Sequence, residues 1–323
     1  MNTYLITGAT GYIGSMLVKH IIQVDKGASV AVIVRDRTKA ESLLPSKVQF
    51  IRADLTDRRQ VTSINLKCDY IIHCASCTKS SEMISHPVEV TESIVNTTQN
   101  ILEFIRKCRI KSMVYLSSME VYGQIDCSDG HRVSEEELGN IELLNARSCY
   151  PLGKHMAENI CYSYYKEYGI PVKTARLAQT FGEGILPGDN RVFVQFAKAA
   201  KQNTDIVLHT EGSSMGNYCG IHDAVRGILT ILMKGADGEA YNVVNEENTM
   251  TIREMAELVA KKIAGRKIKI VYDIPNNNIY GYAPDTGLRL SGKKLVALGW
   301  KPVESLEKMY MDVIREFGGK ITV

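Results

Sequence analysis

The chain of 323 residues is 45% hydrophobic and 23% charged, long enough to bury a large core and of ordinary globular composition. A formal charge of +3, carried by scattered basic residues, argues against nucleic acid as a partner. No apolar run reaches the roughly 18 residues that cross a bilayer, and a strand pattern from Thr3 leaves no room for a signal peptide, so a cytoplasmic location without membrane attachment is expected.

Residues 3–7 are short, apolar and β-prone and read as a buried strand. The glycine turn Gly8-Ala9-Thr10-Gly11-Tyr12-Ile13-Gly14 follows, and then Met16, Leu17, Ile21 and Ile22 recur at helical spacing. A strand, a glycine turn and a helix in succession form a phosphate site. The glycines permit close backbone approach, and the helix N-terminus offers unpaired N–H groups. A second strand at 30–34 completes the setting for an adenine dinucleotide held by Gly8, Gly11, Tyr12, Ile13 and Gly14.

Val34 ends that strand where an NAD-selective fold usually carries a carboxylate, and Arg35 and Arg37 follow it. Arg35 favours the 2′-phosphate of NADP, while Asp36 remains able to turn inward and take the hydroxyls of NAD. Residues 48–51 form the third strand, and Asp54 and Leu55 after it edge the adenine pocket. The fourth strand begins at Tyr70 and exits through Ala75 and Ser76; His73 within it reads as a packed histidine. A helix over about 88–108 contains Asn96, a further cofactor candidate. The fifth strand, 111–117, ends in Ser117-Ser118-Met119-Glu120-Val121-Tyr122-Gly123, and 126–145 is a polar surface excursion. The eight cysteines read as reduced thiols, and Cys74-Ala75-Ser76-Cys77 lacks the second pair that a metal site needs.

Tyr150 and Lys154 stand four apart and share a helix face. An ammonium beside a phenol stabilises the phenolate, so the spacing predicts a tyrosine lowered toward neutrality and a lysine able to bind a cofactor ribose. A serine hydroxyl from the fifth-strand loop would hold the substrate oxygen. A protein that only sensed the dinucleotide would have no use for this pair, and both residues are present.

Together these residues resemble the extended short-chain dehydrogenase/reductases, in particular their nucleotide-sugar epimerase/dehydratase/decarboxylase group. The resemblance spans the chain. It runs from the glycine turn through Asp54-Leu55, His73-Cys74-Ala75-Ser76, Ser117 to Gly123, and Tyr150 to Lys154 with Ala157-Glu158. It continues through Ala175-Arg176-Leu177-Ala178-Gln179-Thr180-Phe181-Gly182 and ends in Leu290-Ser291-Gly292 and Leu298-Gly299-Trp300-Lys301-Pro302.

The resemblance implies an α/β Rossmann-type doubly wound parallel sheet in residues 1–182, with segments from about 205–245 returning to it. A smaller C-terminal substrate lobe would occupy most of 183–323. Helices at 223–234 and 251–264, the latter capped by Thr251 with Glu254, are readable by pattern. The cofactor is NADP or NAD, the partner a nucleotide-linked sugar, and the assembly a homodimer through the two long helices of the Rossmann domain.

By the same resemblance Tyr150 as phenolate takes a proton from a sugar hydroxyl while the neighbouring carbon, C4, gives hydride to the nicotinamide. Ser118 holds that oxygen, Lys154 tunes Tyr150, and Ser117 and Asn96 lie at the cofactor. Dehydratases carry an Asp-Glu pair where this chain has Met119-Glu120, and Met119 cannot protonate a leaving group. Decarboxylases of UDP-glucuronate keep the glutamate alone, epimerases need neither carboxylate, and a keto-sugar reductase would suit Arg35. Gln179 and Arg191 are expected at the substrate, Arg191 on its diphosphate. Gly216 stands where a second diphosphate arginine is usual.

Overall fold

The computed structural model of the chain describes residues 2–186, 188–275 and 285–318. Its first half runs β1 (Thr3–Thr7), α1 (Tyr12–Val24), β2 (Ser29–Val34), β3 (Gln49–Arg52), β4 (Tyr70–His73), α2 (Pro87–Ile105), β5 (Ser112–Ser118), α3 (Cys149–Tyr168) and β6 (Val172–Leu177). The remainder contributes α4 (Val192–Gln202), α5 (Ile221–Lys234), β7 (Ala240–Val243), α6 (Ile252–Leu258) and α7 (Leu306–Glu316).

Among the described residues, seven of the strands pair in the order β7-β6-β5-β4-β1-β2-β3, each with its neighbour in parallel. Side chains alternate across a strand, and both faces of this sheet are covered. Ile6, Val32, Ile72, Val114 and Ala175 meet Leu17 and Ile21 of α1 and Ile228 of α5 on one side. Leu5, Ala31, Ile71, Met113 and Val172 meet Ile94 and Ile101 of α2 and Ala157 and Cys161 of α3 on the other. Burial on both faces explains why β2 and β4 are apolar runs rather than alternating ones. At the crossing of α2 and α3, a Cβ on Gly153 would sit 3.1 Å from the Ile94 Cδ1, tighter than a side chain there tolerates without a shift. Chain order reverses between β1 and β4. In such a doubly wound sheet, ligands lie in the crevice at the carboxyl ends of the strands beside that reversal.

The second lobe packs its own core. Phe181 and Phe193 stack with centroids 4.3 Å apart, and Tyr310 of α7 meets Phe181 edge-on at 5.3 Å. Thr251 and Glu254 form the expected reciprocal cap, the Thr251 N–H donating to the Glu254 carboxylate at 2.7 Å. The helix they open is α-helical only to Leu258 and continues as a π-helical stretch, Val259–Ile263. Of the stretch expected to return to the sheet, Ile206–Leu208 instead pairs with Ile270–Tyr272 in this lobe, and α5 and β7 are the parts that reach the sheet. The closing segment is tied to α5: the Trp300 indole donates to the Asp223 carbonyl at 3.0 Å, and Glu304 accepts the His222 backbone N–H at 2.9 Å. No helix among the described residues is long and apolar enough to cross a membrane.

Candidate active site

The β1–α1 turn sits against the exit of β4. Gly8 has φ +66, and a Cβ on it would lie 2.7 Å from the Ala75 nitrogen; a Cβ on Gly14 would overlap the Gly8 carbonyl. Gly11 caps α1 without any side-chain acceptor, so the first-turn N–H groups face the crevice with no side chain of their own to bind. The Thr7 hydroxyl accepts the Ala75 N–H at 3.2 Å and contacts the His73 Nδ1 at 2.7 Å. Burial holds His73 down to about 3, so it stays neutral, as a packed histidine should. Tyr12 donates to the Glu183 carbonyl at 3.0 Å and spans to the second lobe, while Ile13 packs against the core.

Beside the ends of β2 and β3, Arg35, Arg52, Ala53, Asp54 and Gln60 line a cavity of about 250 Å³. Asp36 does not turn inward: its carboxylate caps the short helix Arg37–Leu43, accepting the Lys39 N–H at 2.9 Å. Leu55 points into the core rather than the cavity, and the Asp54 carboxylate accepts both the backbone N–H and the hydroxyl of Thr56. Ser76 donates to the Cys77 carbonyl at 3.3 Å in the loop after β4. Asn96 does not join the site. It lies exposed on α2, whereas Asn100, one turn later, is buried and donates to the carbonyls of Leu55 and Thr56 at 2.8 and 3.1 Å.

Ser117 at the end of β5 is buried with a hydroxyl that has no partner among the described residues. That orphaned donor, the helix start that no side chain caps and the cavity are features a dinucleotide would fit, with its pyrophosphate at the start of α1.

The structure brings Ser118, Glu120, Tyr150 and Lys154 together. Ser118 ends β5 and accepts the Glu120 N–H at 3.2 Å, and its hydroxyl is a nearby group that favours ionisation of the Tyr150 phenol. Tyr150 opens α3 and is only 6% exposed. Its tuning differs from the one that the i, i+4 spacing predicts. The Lys154 ammonium donates to the Leu116 carbonyl at 2.8 Å and lies 5.8 Å from the Tyr150 ring centroid. Burial pushes the Tyr150 phenol well above its ordinary value and the Glu120 charge adds to that, while Ser118 and Arg147 act against it. Lys154, fully buried, is itself pushed down to about 8.

Arg147 was invisible in the sequence. It sits on the short 3₁₀ turn Ala146–Ser148, its backbone N–H held by the Asn145 side chain at 3.0 Å. From there its guanidinium grips both oxygens of Glu120, at 2.8 and 3.2 Å. Other residues of the same motifs are structural. Glu158 binds Arg176 at 2.8 Å, Arg176 donates to the Tyr122 hydroxyl at 3.1 Å, and Tyr122 donates to Asn242 at 2.7 Å, which links β6, the 119–122 turn and β7.

At the substrate end, Gln179 donates its backbone N–H to the Asn217 carbonyl at 2.9 Å. Arg191 precedes α4, but its guanidinium is clasped by Asp189 at 2.6 and 3.0 Å and lies over the Phe193 ring. The expected phosphate cation is thus already paired within its own loop, a two-residue contact that motif matching does not register. Gly216 cannot carry a side chain: a Cβ there would overlap the hydroxyl of the fully buried Tyr218.

The family model described as the NAD dependent epimerase/dehydratase family matches residues 4–244. UDP-glucuronic acid decarboxylase 1 of Danio rerio is 26% identical over 317 residues, covering 98% of this chain and 73% of that protein. UDP-glucuronic acid decarboxylase 6 of Arabidopsis thaliana is 28% identical over 307 residues, 94% of this chain and 85% of that one. Among solved structures, UDP-glucose 4-epimerase of Thermotoga maritima superimposes with a TM-score of 0.83 at 22% identity, covering 98% of both chains. With the parallel sheet, the glycine turn and the Ser118–Tyr150–Lys154 grouping in place, the chain belongs to the NAD dependent epimerase/dehydratase family.

Proposed function

We propose that the protein acts on a nucleotide-linked sugar by transient oxidation at one sugar carbon, C4, and that a UDP-linked uronate is its substrate and loses CO₂. The observation that carries this reading is the Ser118–Glu120–Tyr150 grouping, with Met119 where an acid would be needed to expel water.

The nicotinamide, when bound, takes up a hydride equivalent from the sugar carbon and later returns it. Tyr150 takes the proton of the sugar hydroxyl, and Ser118 holds that oxygen while it becomes a carbonyl. A ketone next to the carbon that bears the carboxylate needs no acid at position 119. The carbon–carbon bond to CO₂ breaks, its electron pair moves onto the ketone oxygen, and the Ser118 and Tyr150 hydroxyls stabilise the enolate there. Protonation of the enolate carbon by solvent regenerates the C4 ketone, and the hydride equivalent returned to C4 together with the proton returned from Tyr150 to its oxygen would restore the alcohol. The curated decarboxylases that resemble the chain over almost all of its length support this outcome.

The test is incubation of the purified protein with UDP-glucuronate and with UDP-glucose, read by NMR of the sugar and by CO₂ release. Loss of the carboxyl carbon without net consumption of cofactor is the expected result. A C4 epimer of either sugar would make the protein an epimerase. Stoichiometric oxidation of NADPH would make it a reductase and overturn the recycling reading.

NADP is the dinucleotide favoured by the adenine cavity. Arg35 and Arg52 both line it, the Asp36 carboxylate is committed to a helix cap, and Val34 offers no acceptor for a ribose hydroxyl. Replacing Arg35 with alanine should weaken NADP⁺ binding about 10- to 100-fold and NAD⁺ binding by less than about threefold, the loss of one charge-assisted contact. Titration calorimetry with both dinucleotides measures this, and an equal loss for the two would remove NADP as the preferred cofactor.

A further inference from the structure

We propose that Arg147 is a positioning residue of the catalytic centre, which fixes the Glu120 carboxylate beside Tyr150 and balances its charge so that the phenol can ionise. The inference rests on the reading of Tyr150 as the group that takes the sugar proton.

The geometry points to it in three ways. The grip on Glu120 is bidentate, 2.8 and 3.2 Å, which sets orientation as well as distance. Both ends are anchored. The Glu120 backbone is tied to the Ser118 hydroxyl at 3.2 Å, and the Arg147 backbone to the Asn145 side chain at 3.0 Å. The pair also joins two separate elements, the turn after β5 and the turn before α3, at the point where Ser118 and Tyr150 meet.

The titratable groups around Tyr150 come from several elements. Glu120 acts on it from the 119–122 turn, Arg147 from the turn that precedes α3, and the Cys77 thiol from the loop after β4; the neighbouring Cys149 thiol is pushed up by burial. Lys154, one turn along α3, turns its ammonium to the Leu116 carbonyl, and the Tyr115 ring lies between β5 and that ammonium, 4.9 Å from it. Glu158 is taken up by Arg176. Among the charged side chains Glu120 is therefore the one that opposes phenolate formation, and Arg147 the one that partly offsets it. An unpaired carboxylate near the phenol disfavours a second negative charge more than a paired one does, and this acts on top of the larger effect of burial.

The test is a cycle of Arg147→Gln, Glu120→Gln and the double variant. Two readouts are taken: the pH dependence of kcat, and the ultraviolet phenolate absorbance of each protein minus that of the same protein carrying Tyr150→Phe. With Arg147→Gln the acidic limb, on which the rate rises as Tyr150 ionises, and the Tyr150 ionisation itself should move up by about one pH unit. In Glu120→Gln both should move down, and in the double variant they should return toward the starting value. Arg147→Lys should restore most of the pH position with less of the rate, since a lysine carries the charge but not the fork. NADP⁺ affinity, measured in parallel, reports whether each variant is folded. If Tyr150→Phe abolishes turnover but Arg147→Gln leaves both readouts where they were, Arg147 is a bystander. If Tyr150→Phe retains turnover, the assignment of Tyr150 is what fails.

Discussion

Replacement of Tyr150 by phenylalanine should lower kcat by about 10²- to 10⁴-fold, the usual contribution of a positioned acid–base group. The change removes one oxygen and keeps the ring. That ring packs in the layer between α2, α3 and the sheet, so the helix start and the cofactor crevice should persist. Affinity for the dinucleotide should therefore stay within about threefold, because the assigned role lies in proton transfer rather than in binding. The partner atom left behind is the Ser118 hydroxyl, which still accepts the Glu120 N–H. Steady-state turnover and cofactor titration on the same preparation separate the two effects. Turnover close to that of the unmodified protein would remove Tyr150 from the mechanism, and a lost cofactor site would make its role structural.

The sequence carried most of the fold because its signals are local. A strand, a glycine turn and a helix occupy fewer than thirty consecutive residues, and Tyr150 and Lys154 are linked by a single helical turn. Arg147 escaped because its partner Glu120 is 27 residues away, across a polar excursion whose path no periodicity sets. Arg52 escaped for a similar reason. It faces the cavity beside Arg35 only because β3 pairs with β2 in the register that sets Arg52 opposite Val34. Asn96 shares a helix face with Asn100 but lies one turn short of the packed region: the buried asparagine of α2 is Asn100, and its partners lie in the loop after β3. Arg191 shows the opposite limit, a motif residue whose charge a near neighbour, Asp189, already holds. The pKa inference from Tyr150 and Lys154 erred because spacing says nothing of burial, and burial outweighs every charge near that phenol.

Burial has a second consequence, at Lys154. Replacing it with methionine should abolish turnover and yet stabilise the folded protein at neutral pH by about 1–3 kcal/mol. The ammonium is 3% exposed and is pushed from its usual 10.5 down to about 8, with desolvation the largest cause and the Glu158 charge only partly offsetting it. A depression of that size corresponds to about 3 kcal/mol against folding, and losing the bond to the Leu116 carbonyl returns about 1 kcal/mol of it. The sign fixes the pH window. Because the folded protein releases this proton near pH 8 and the unfolded chain near pH 10.5, the unfolded state holds more protons between those values, and the unmodified protein gains stability as pH rises through them. The advantage of methionine is thus full below about pH 8 and disappears above about pH 10.5. Urea unfolding of both proteins at about pH 7 and about pH 10.5 checks this, and a methionine variant less stable at neutral pH would show that the ammonium is a net contributor to folding. A buried cation that the fold would be more stable without points to a role in binding, and we propose the cofactor ribose as what Lys154 binds.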